Sequence, residues 1–229
     1  MNAMVGQMIQ FSDSEEKYDG YLAPAVGGKG PGVIVLQEWW GLVPHIKDVA
    51  DRFAKAGFTA LAPDLFRGKS TTEPDEAASL MMALHIGETE KLLASAIAAL
   101  ITHTAVEGDK VGVVGFCMGG QLSLYAACSN PSIKACVDFY GIHPDVQPAL
   151  RALNGPVLGI FAENDAYASP EQVRALTEEL TLLEKPHEFI TYPGTDHAFF
   201  NDTRPVYDKV AAEDAWKRVC EFFDANLQA

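Results

Sequence analysis

The sequence contains no long uninterrupted apolar segment and few basic residues. No apolar run reaches the roughly 18 residues that a membrane-spanning helix requires. Only 17 Lys and Arg stand against 31 Asp and Glu, which gives a formal net charge of −14. An acidic surface repels phosphate groups, so the composition argues against nucleic acid and anionic membranes as partners. We therefore expect the chain to bind neither of them.

Cysteine is also scarce, and its spacing fits none of the common metal-binding motifs. The four cysteines are Cys117, Cys128, Cys136 and Cys220. A chain of 229 residues can bury a large core without disulfides, so we expect reduced thiols in a reducing compartment. Residues 1–7 show no cationic start, apolar core or cleavage signal, which favours a cytoplasmic location over secretion.

The sequence also lacks repeats, linkers and low-complexity segments, which favours a single domain over residues 1–229. Apolar, strand-like runs alternate with helical patterns, and this alternation predicts an α/β fold with a mainly parallel central sheet and helices on both faces. Strands are predicted at 8–11, 18–23, 31–37, 58–62, 110–115, 133–140, 156–162 and 187–192. Helices are predicted at 44–56, at 75–105 with a break near Gly87, and at 121–129, 148–153, 169–183 and 205–227.

The most informative motif is a Gly-x-Cys-x-Gly turn, from Gly115 to Gly119, between an apolar strand and a helix. This is the layout of a nucleophile elbow, with cysteine in the place of the usual serine. The glycines permit the tight turn, and the start of the following helix favours a thiolate at Cys117. The alternative is that Cys117 is a small buried hydrophobic residue in a glycine-rich junction.

Two further polar residues follow predicted strands later in the chain. Asp165 comes after the strand at 156–162, and His197 lies in a glycine-containing loop after the strand at 187–192. Nucleophile, acid and histidine occur in this order in α/β-hydrolases. In such a triad Cys117 attacks an acyl carbon, His197 transfers the proton, and Asp165 orients the imidazole.

Each of these residues also has another interpretation. Asp165 could cap the helix that follows it, although Ser169 is nearer to that start, and Asp196 could be the acid instead. Taken alone, His197 could be an ordinary histidine of a surface loop. The other histidines have no comparable setting and are interpreted as structural or solvated: His45, His85, His103, His143 and His187.

The loop after the first central strand carries Glu38, Trp39 and Trp40. In an α/β-hydrolase this loop and the residue after the nucleophile supply the oxyanion-hole amides, which we assign to Trp39 and Met118. Glu38 would then lie near Cys117, where its charge opposes a thiolate, so Glu38 either holds the thiol proton or moves away on binding. Alternatively Glu38 is a solvated loop acid. The tryptophans either wall an apolar pocket or pack into the core.

Together these residues resemble the dienelactone hydrolase family (carboxymethylenebutenolidases). The matching motifs are Gln37-Glu38-x-x-Gly41, Ala62-Pro63-Asp64-Leu65-Phe66, Gly115-Phe116-Cys117-Met118-Gly119-Gly120, Asp165 and His197-Ala198-Phe199. The resemblance implies an α/β-hydrolase fold without a large lid domain and a triad of Cys117, His197 and Asp165. It also implies that Glu38 controls the thiol proton until substrate arrives, and that neither a metal nor an organic cofactor is needed.

The sequence departs from the family in its arginines. The resemblance implies two arginines that hold a substrate carboxylate, yet residues 70–100 contain no arginine and Asn201 stands where the second is expected. A neutral amide is a poor substitute for a bidentate guanidinium. Arg67 and Arg204 are candidate replacements. The full set of candidate substrate-binding residues is Trp40, Arg67, Ala198, Phe199 and Arg204.

The leading functional hypothesis is a cysteine-dependent hydrolase that cleaves a lactone or a small ester through an acyl-thioester. A broader carboxylesterase or thioesterase for neutral acyl esters is the second hypothesis, because of the missing arginines and the paired tryptophans. A non-catalytic binding protein on a hydrolase scaffold is the third, and an incomplete triad would favour it. With no dedicated interface signal in the sequence, we expect a monomer with a small-molecule partner.

Overall fold

The strands join in one eight-stranded sheet, which the computed structural model describes within residues 5–228. In chain order they are β1 (Gln7–Ser12), β2 (Lys17–Ala23), β3 (Gly30–Leu36), β4 (Thr59–Pro63), β5 (Val106–Phe116), β6 (Ile133–Phe139), β7 (Val157–Ala162) and β8 (His187–Tyr192). Their order across the sheet is β1-β2-β4-β3-β5-β6-β7-β8. Two strand pairs, β1 with β2 and β2 with β4, are antiparallel and the other five are parallel, so the predicted mainly parallel sheet is confirmed.

Helices cover both faces of this sheet, as predicted. They are α1 (Pro44–Lys55), α2 (Pro74–Met82), α3 (Ile86–Ile101), α4 (Met118–Ser129), α5 (Pro170–Leu182) and α6 (Lys209–Leu227). The central strand β3 shows the cause, because Val33 and Val35 pack with α1 and α6, whereas Ile34 and Leu36 pack with α3 and α4. A strand that is buried on both faces needs apolar residues at every position.

Several helix boundaries differ from those that the sequence predicts. The break near Gly87 lies at residues 83–85 instead, and Gly87 is in the first turn of α3, where helix amides have no intrahelical acceptor. The last helix begins at Lys209 rather than at residue 205, because the Asp208 carboxylate accepts a 2.9 Å hydrogen bond from the Ala211 amide and caps it there.

The connection between β6 and β7 is short and open. The helix predicted at 148–153 is reduced to a three-residue 3-10 helix, Leu150–Ala152. Residues 140–156 therefore hold no lid domain. None of the helices within residues 5–228 combines the length and the apolar character that a transmembrane helix needs.

The parallel strands place the chemically important residues at one edge of the sheet. Glu38 follows β3, Cys117 follows β5, Asp165 follows β7 and His197 follows β8. Because the carboxyl ends of parallel strands lie at the same edge, residues that are distant in sequence meet there.

Candidate active site

Cys117 is the single residue that separates β5 from α4, so the chain turns from strand to helix at this point. Its φ angle is +55°, which is strained for a residue other than glycine. The turn requires glycine on both sides, because a Cβ on Gly115 would collide with the Gly119 carbonyl and one on Gly119 with the Gln37 carbonyl. Cys117 is buried at the N-terminus of α4, whose partial positive charge stabilises a thiolate.

His197 and Asp165 are joined by a short hydrogen bond. His197 Nδ1 lies 2.7 Å from Asp165 Oδ2, and the Asp165 side chain is fully buried. The other oxygen, Asp165 Oδ1, accepts hydrogen bonds from the amides of Tyr167 at 2.7 Å and Ala168 at 3.0 Å. These amides hold the carboxylate so that it faces the imidazole, which is the geometry of the acid in a catalytic triad.

The sequence left two alternatives open, that Asp165 caps α5 and that Asp196 is the acid, and the hydrogen bonds bear on both. α5 is capped by Ser169, whose hydroxyl accepts a hydrogen bond from the Gln172 amide while the Gln172 side chain accepts one from the Ser169 amide. Asp196 is exposed, and no hydrogen bond within residues 5–228 joins it to His197. Asp165 is therefore the carboxylate that orients the imidazole.

The surroundings of His197 favour its protonated form. Burial by itself lowers the pKa of His197, but the hydrogen bond to Asp165 and the neighbouring Cys117 side chain outweigh this effect and raise the pKa to about 10. Two tyrosine rings flank the imidazole, with centroids 4.9 Å (Tyr140) and 5.1 Å (Tyr167) away. Neither tyrosine was predicted as a site residue, although Tyr140 directly follows β6 and Tyr167 lies in the segment after β7.

Glu38 is buried beside the Cys117 turn, with only 1% of its surface exposed. Burial raises the pKa of Glu38 and outweighs the opposite effects of the Asn201 amide and of the charges on His197 and Arg204. Glu38 Oε2 accepts a 2.7 Å hydrogen bond from Asn201 Nδ2, whereas Oε1 has no hydrogen-bond partner within residues 5–228. A protonated Glu38 places no negative charge next to Cys117, so the two residues can be neighbours.

Asn201 is a further residue of the site, and the sequence pointed to it only as the position where an arginine of the family is replaced. Its Oδ1 accepts hydrogen bonds from the Thr203 amide at 3.0 Å and the Thr203 hydroxyl at 2.6 Å. These contacts fix the amide orientation, because only the NH₂ group can then face Glu38. Asn201 therefore connects the loop that carries His197 to the loop after β3.

The two predicted oxyanion-hole amides lie on either side of the Cys117 turn. The Met118 N–H is at the first position of α4, where a helix amide has no intrahelical acceptor. The Trp39 N–H takes part in none of the backbone hydrogen bonds that residues 5–228 form outside helices and strands. Both amides are thus candidate donors to an oxyanion that forms over Cys117.

A cavity of about 270 Å³ opens over Cys117 and His197. Its wall includes the Arg204 guanidinium, which stacks 3.8 Å from the centroid of the Trp40 ring. Arg204 forms none of the ion pairs found within residues 5–228. The other lining residues are mostly apolar: Glu38, Trp39, Met81, Ile142, Tyr167, Ala198, Pro205 and Val206.

The remaining substrate-binding candidates lie in different places. Ala198 lines the cavity, with a φ angle of +67°. Phe199 is fully buried in the core and does not line the cavity. Arg67 lies on the exposed surface in a 2.7 Å ion pair with Glu16, so the structure does not bring it to the cavity.

The histidines outside the site have structural contacts or are exposed. His45 is buried and lies 3.2 Å from Asp202, and burial lowers the pKa of His45 to about 4. His143 is buried between the Met81 carbonyl and the Asp145 amide. Within residues 5–228, no group of three or more His, Cys, Asp or Glu side chains could hold a metal ion.

Comparisons with known proteins identify the family of this chain. The model of the dienelactone hydrolase family matches residues 18–227. Protein usf of Aquifex pyrophilus is 37% identical over 231 residues, which cover 97% of this chain and 100% of that protein. A Bradyrhizobium protein named as a probable 2-oxo-3-(5-oxofuran-2-ylidene)propanoate lactonase is 33% identical over 233 residues, which cover 96% of this chain and 94% of the relative.

Solved structures give the same result. A crystal structure from Klebsiella pneumoniae, of a protein provisionally named a dienelactone hydrolase, superposes with a TM-score of 0.88 at 27% identity. The match covers 97% of this chain and 99% of that one. From the family match over nearly the whole length, and from the shared sheet and helices, we conclude that this chain belongs to the dienelactone hydrolase family and is a hydrolase with the α/β-hydrolase fold.

Proposed function

We propose that this protein is a cysteine-dependent hydrolase that cleaves a lactone or a small ester through an acyl-thioester on Cys117. The observation that carries the proposal is the meeting of the Cys117 turn with the bonded pair His197 and Asp165 at one cavity. The names of two relatives, a lactonase and a provisional carboxymethylenebutenolidase of Aquifex aeolicus that is 31% identical over 232 residues, support a lactone or ester as the substrate class.

In the first half of the reaction, Cys117 has already given its proton to His197, and the resulting thiolate attacks the acyl carbon. The carbonyl oxygen becomes an oxyanion that the Trp39 and Met118 amides stabilise. The bond to the leaving oxygen then breaks, and His197 returns its proton to that oxygen. An ester releases an alcohol at this step, whereas a lactone opens and keeps the hydroxyl on the acyl chain.

In the second half, water attacks the thioester. His197 accepts a proton from the water, and collapse of the tetrahedral intermediate breaks the carbon–sulfur bond. The proton returns to Cys117, and the carboxylic acid leaves. Asp165 stays ionised and stabilises the imidazolium in both halves.

Glu38 supports the resting state in this scheme. Because burial raises its pKa, Glu38 holds a proton while the cavity is empty and does not oppose the Cys117 thiolate. Its free Oε1 is the one polar atom of this carboxyl that can respond to a bound substrate, since Asn201 already holds Oε2.

The nucleophile can be tested by substitution. We expect Cys117→Ala to lose about a thousandfold or more in kcat/KM on the best ester or lactone substrate, because no other group can form the acyl-enzyme. Cys128→Ala is the matched control, since Cys128 is a buried cysteine on α4 that does not line the cavity. Retention of activity by Cys117→Ala would show that the proposal is wrong.

The second candidate function is a broader esterase for neutral acyl groups, which the mostly apolar cavity wall favours. Phenyl hexanoate and the phenyl monoester of adipic acid share a chain length and differ by one carboxylate. If Arg204 holds a substrate carboxylate, Arg204→Met should lower kcat/KM about tenfold for the adipate ester alone. A strong preference for hexanoate that Arg204→Met leaves unchanged would favour the broader esterase.

A further inference from the structure

Asp138 is a buried carboxylic acid behind the nucleophile turn. It belongs to β6, is 1% exposed, and neither of its oxygens has a hydrogen-bond partner of acceptable geometry within residues 5–228. Its neighbours on the two adjacent strands are Gly115 and Gly159. Asp138 Oδ1 packs so closely against Gly120 and Gly141 that a Cβ on either glycine would collide with it. The carboxyl therefore fills a space that Gly120 and Gly141 leave open.

Among the residues that the structure describes, no positively charged group affects the pKa of this carboxyl. Burial raises the pKa of Asp138 to about 7, and the Gly141 amide is the one other group that acts on it, with a lowering effect. From α4, the Ser123 hydroxyl donates to the Gly120 and Val137 carbonyls instead.

The titratable groups near Asp138 follow from the elements that surround it. The facing positions on β5 and β7 are glycines. Gln121 of α4 donates its side-chain amide to the Val146 carbonyl. The titratable neighbour is Cys136 on the same strand, and burial raises the pKa of its thiol, with a further contribution from Asp138. An ionised Asp138 therefore keeps a nearly unscreened charge.

The position of that charge connects Asp138 to the nucleophile. Cys117 directly precedes α4, and Gly120 lies in the first turn of this helix. The Gly120 amide donates a 2.9 Å hydrogen bond to the Cys117 carbonyl. The amides of this turn provide the partial positive charge that supports a thiolate at Cys117 and an oxyanion at Met118. A negative charge next to Gly120 offsets part of this partial positive charge.

We propose that Asp138 is a positioning residue for Cys117 and that its proton acts as a switch. With the proton, the neutral carboxyl supports the first turn of α4 between the glycines. Without the proton, its charge opposes the thiolate and the oxyanion, so alkaline conditions weaken the nucleophile from behind. This inference rests on the proposed role of Cys117 and adds a pH dependence that the triad alone does not provide.

The test compares wild type with Asp138→Asn, which keeps the shape and stays neutral at every pH. The readouts are kcat/KM on a neutral ester and the rate at which iodoacetamide alkylates Cys117, followed by peptide mass spectrometry. We expect equal values near about pH 5.5, and at about pH 8.5 a variant that is faster on the order of fivefold, since only wild type then carries the charge. Identical pH profiles would overturn the proposal, and so would a loss by the same factor at every pH.

Two controls keep the result interpretable. Asp51→Asn changes another buried aspartate, one that accepts a 2.9 Å hydrogen bond from Tyr21 far from the cavity, and should leave the pH profile of Cys117 unchanged. If Asp138→Asn does not fold, Asp138→Ser provides a second neutral variant. In the infrared difference spectrum of wild type minus variant, which cancels the contribution of Glu38, the band of a protonated buried carboxylic acid should be present at about pH 6 and lost by about pH 8.5. Failure of Cys117→Ala to abolish activity would instead overturn the proposed nucleophile.

Discussion

Glu38 and Asn201 form the contact that most distinguishes this site. A neutral amide holds one oxygen of a buried carboxyl, so no full positive charge is bonded to Glu38. The nearest cations, His197 and Arg204, act on Glu38 through space and do not overcome the effect of burial. Burial therefore favours the protonated form of Glu38, and the Asn201 hydrogen bond orients its carboxyl group.

Removing the amide should impair catalysis more than folding. Asn201→Leu keeps the approximate side-chain volume and removes the donor to Glu38, so we expect kcat/KM to fall about tenfold because Glu38 is no longer held in place. Steady-state kinetics and urea unfolding measure the two effects. Asn226→Leu is the matched control, since the Asn226 amide bonds to a carbonyl within α6. Unchanged kinetics in Asn201→Leu would mean that this hydrogen bond has no catalytic role.

The raised pKa of His197 should appear in the pH dependence of stability. A histidine whose folded pKa is near 10, against 6.5 in the unfolded chain, adds stability that is complete below about pH 6.5 and is lost as the pH rises through 10. We expect the free energy of unfolding to decrease over this range by up to about 1.4 kcal/mol per pH unit, the value for one proton. Asp165→Asn should flatten the slope and Asp196→Asn should not. Parallel slopes in all three proteins would refute the assignment.

The element that presents the acid is the segment between β7 and α5. Asp165 accepts hydrogen bonds from the amides of Tyr167 and Ala168, and the next residue, Ser169, caps α5 with a reciprocal capping box. The carboxylate is thus held by a turn, and the turn is anchored by a separate residue. Catalytic geometry and helix stability are consequently assigned to different side chains.

This separation predicts a variant that loses stability and keeps its chemistry. Ser169→Ala should lower the free energy of unfolding by about 1 kcal/mol through loss of the cap, with kcat within about twofold of wild type. Ser79→Ala serves as the control, because Ser79 lies inside α2, where alanine is the better helix former. A large loss of kcat in Ser169→Ala would mean that the cap also positions Asp165.

The elements show which features the sequence could predict. The alternation of apolar runs and helical patterns was sufficient for the sheet, because strands that are buried on two faces leave a strong local signal. The predicted bounds of β8 also match, although this edge strand is mostly partly or fully exposed. A break near Gly87 was predicted and lies at residues 83–85, whereas the predicted start of the last helix at residue 205 was wrong, because the Asp208 cap that determines it leaves few local signals. The Gly-x-Cys-x-Gly turn was recognisable because its glycines satisfy a local steric need.

Features that depend on contacts between distant segments could not be predicted. The Asn201–Glu38 bond, the stacking of Arg204 on Trp40 and the burial of Asp138 each join residues that the sheet brings together. Arg67 shows the converse, since a nearby glutamate on the surface holds it away from the cavity. Proximity in sequence to a motif therefore identified three residues of the cavity wall, Trp40, Ala198 and Arg204, but not the positions of Arg67 and Phe199.

At the scale of the whole molecule, the net charge of the protein and the arginine of the cavity have opposite effects on the binding of an anionic substrate. The formal net charge of −14 repels anions at long range, whereas Arg204 in the cavity wall attracts them at short range. Salt screens the long-range term first. Selectivity between neutral and anionic esters therefore depends on the cavity wall and not on attraction by the surface as a whole.

The most direct test of the account is to trap the acyl group on the enzyme. Wild type and Cys117→Ala are mixed with a slowly deacylating aryl ester, quenched in acid, and measured by intact and peptide mass spectrometry. We expect wild type to gain the mass of one acyl group, located on Cys117 and released by hydroxylamine as a thioester, and Cys117→Ala to gain none. Acylation of another residue, or turnover by Cys117→Ala without an acyl intermediate, would contradict the account.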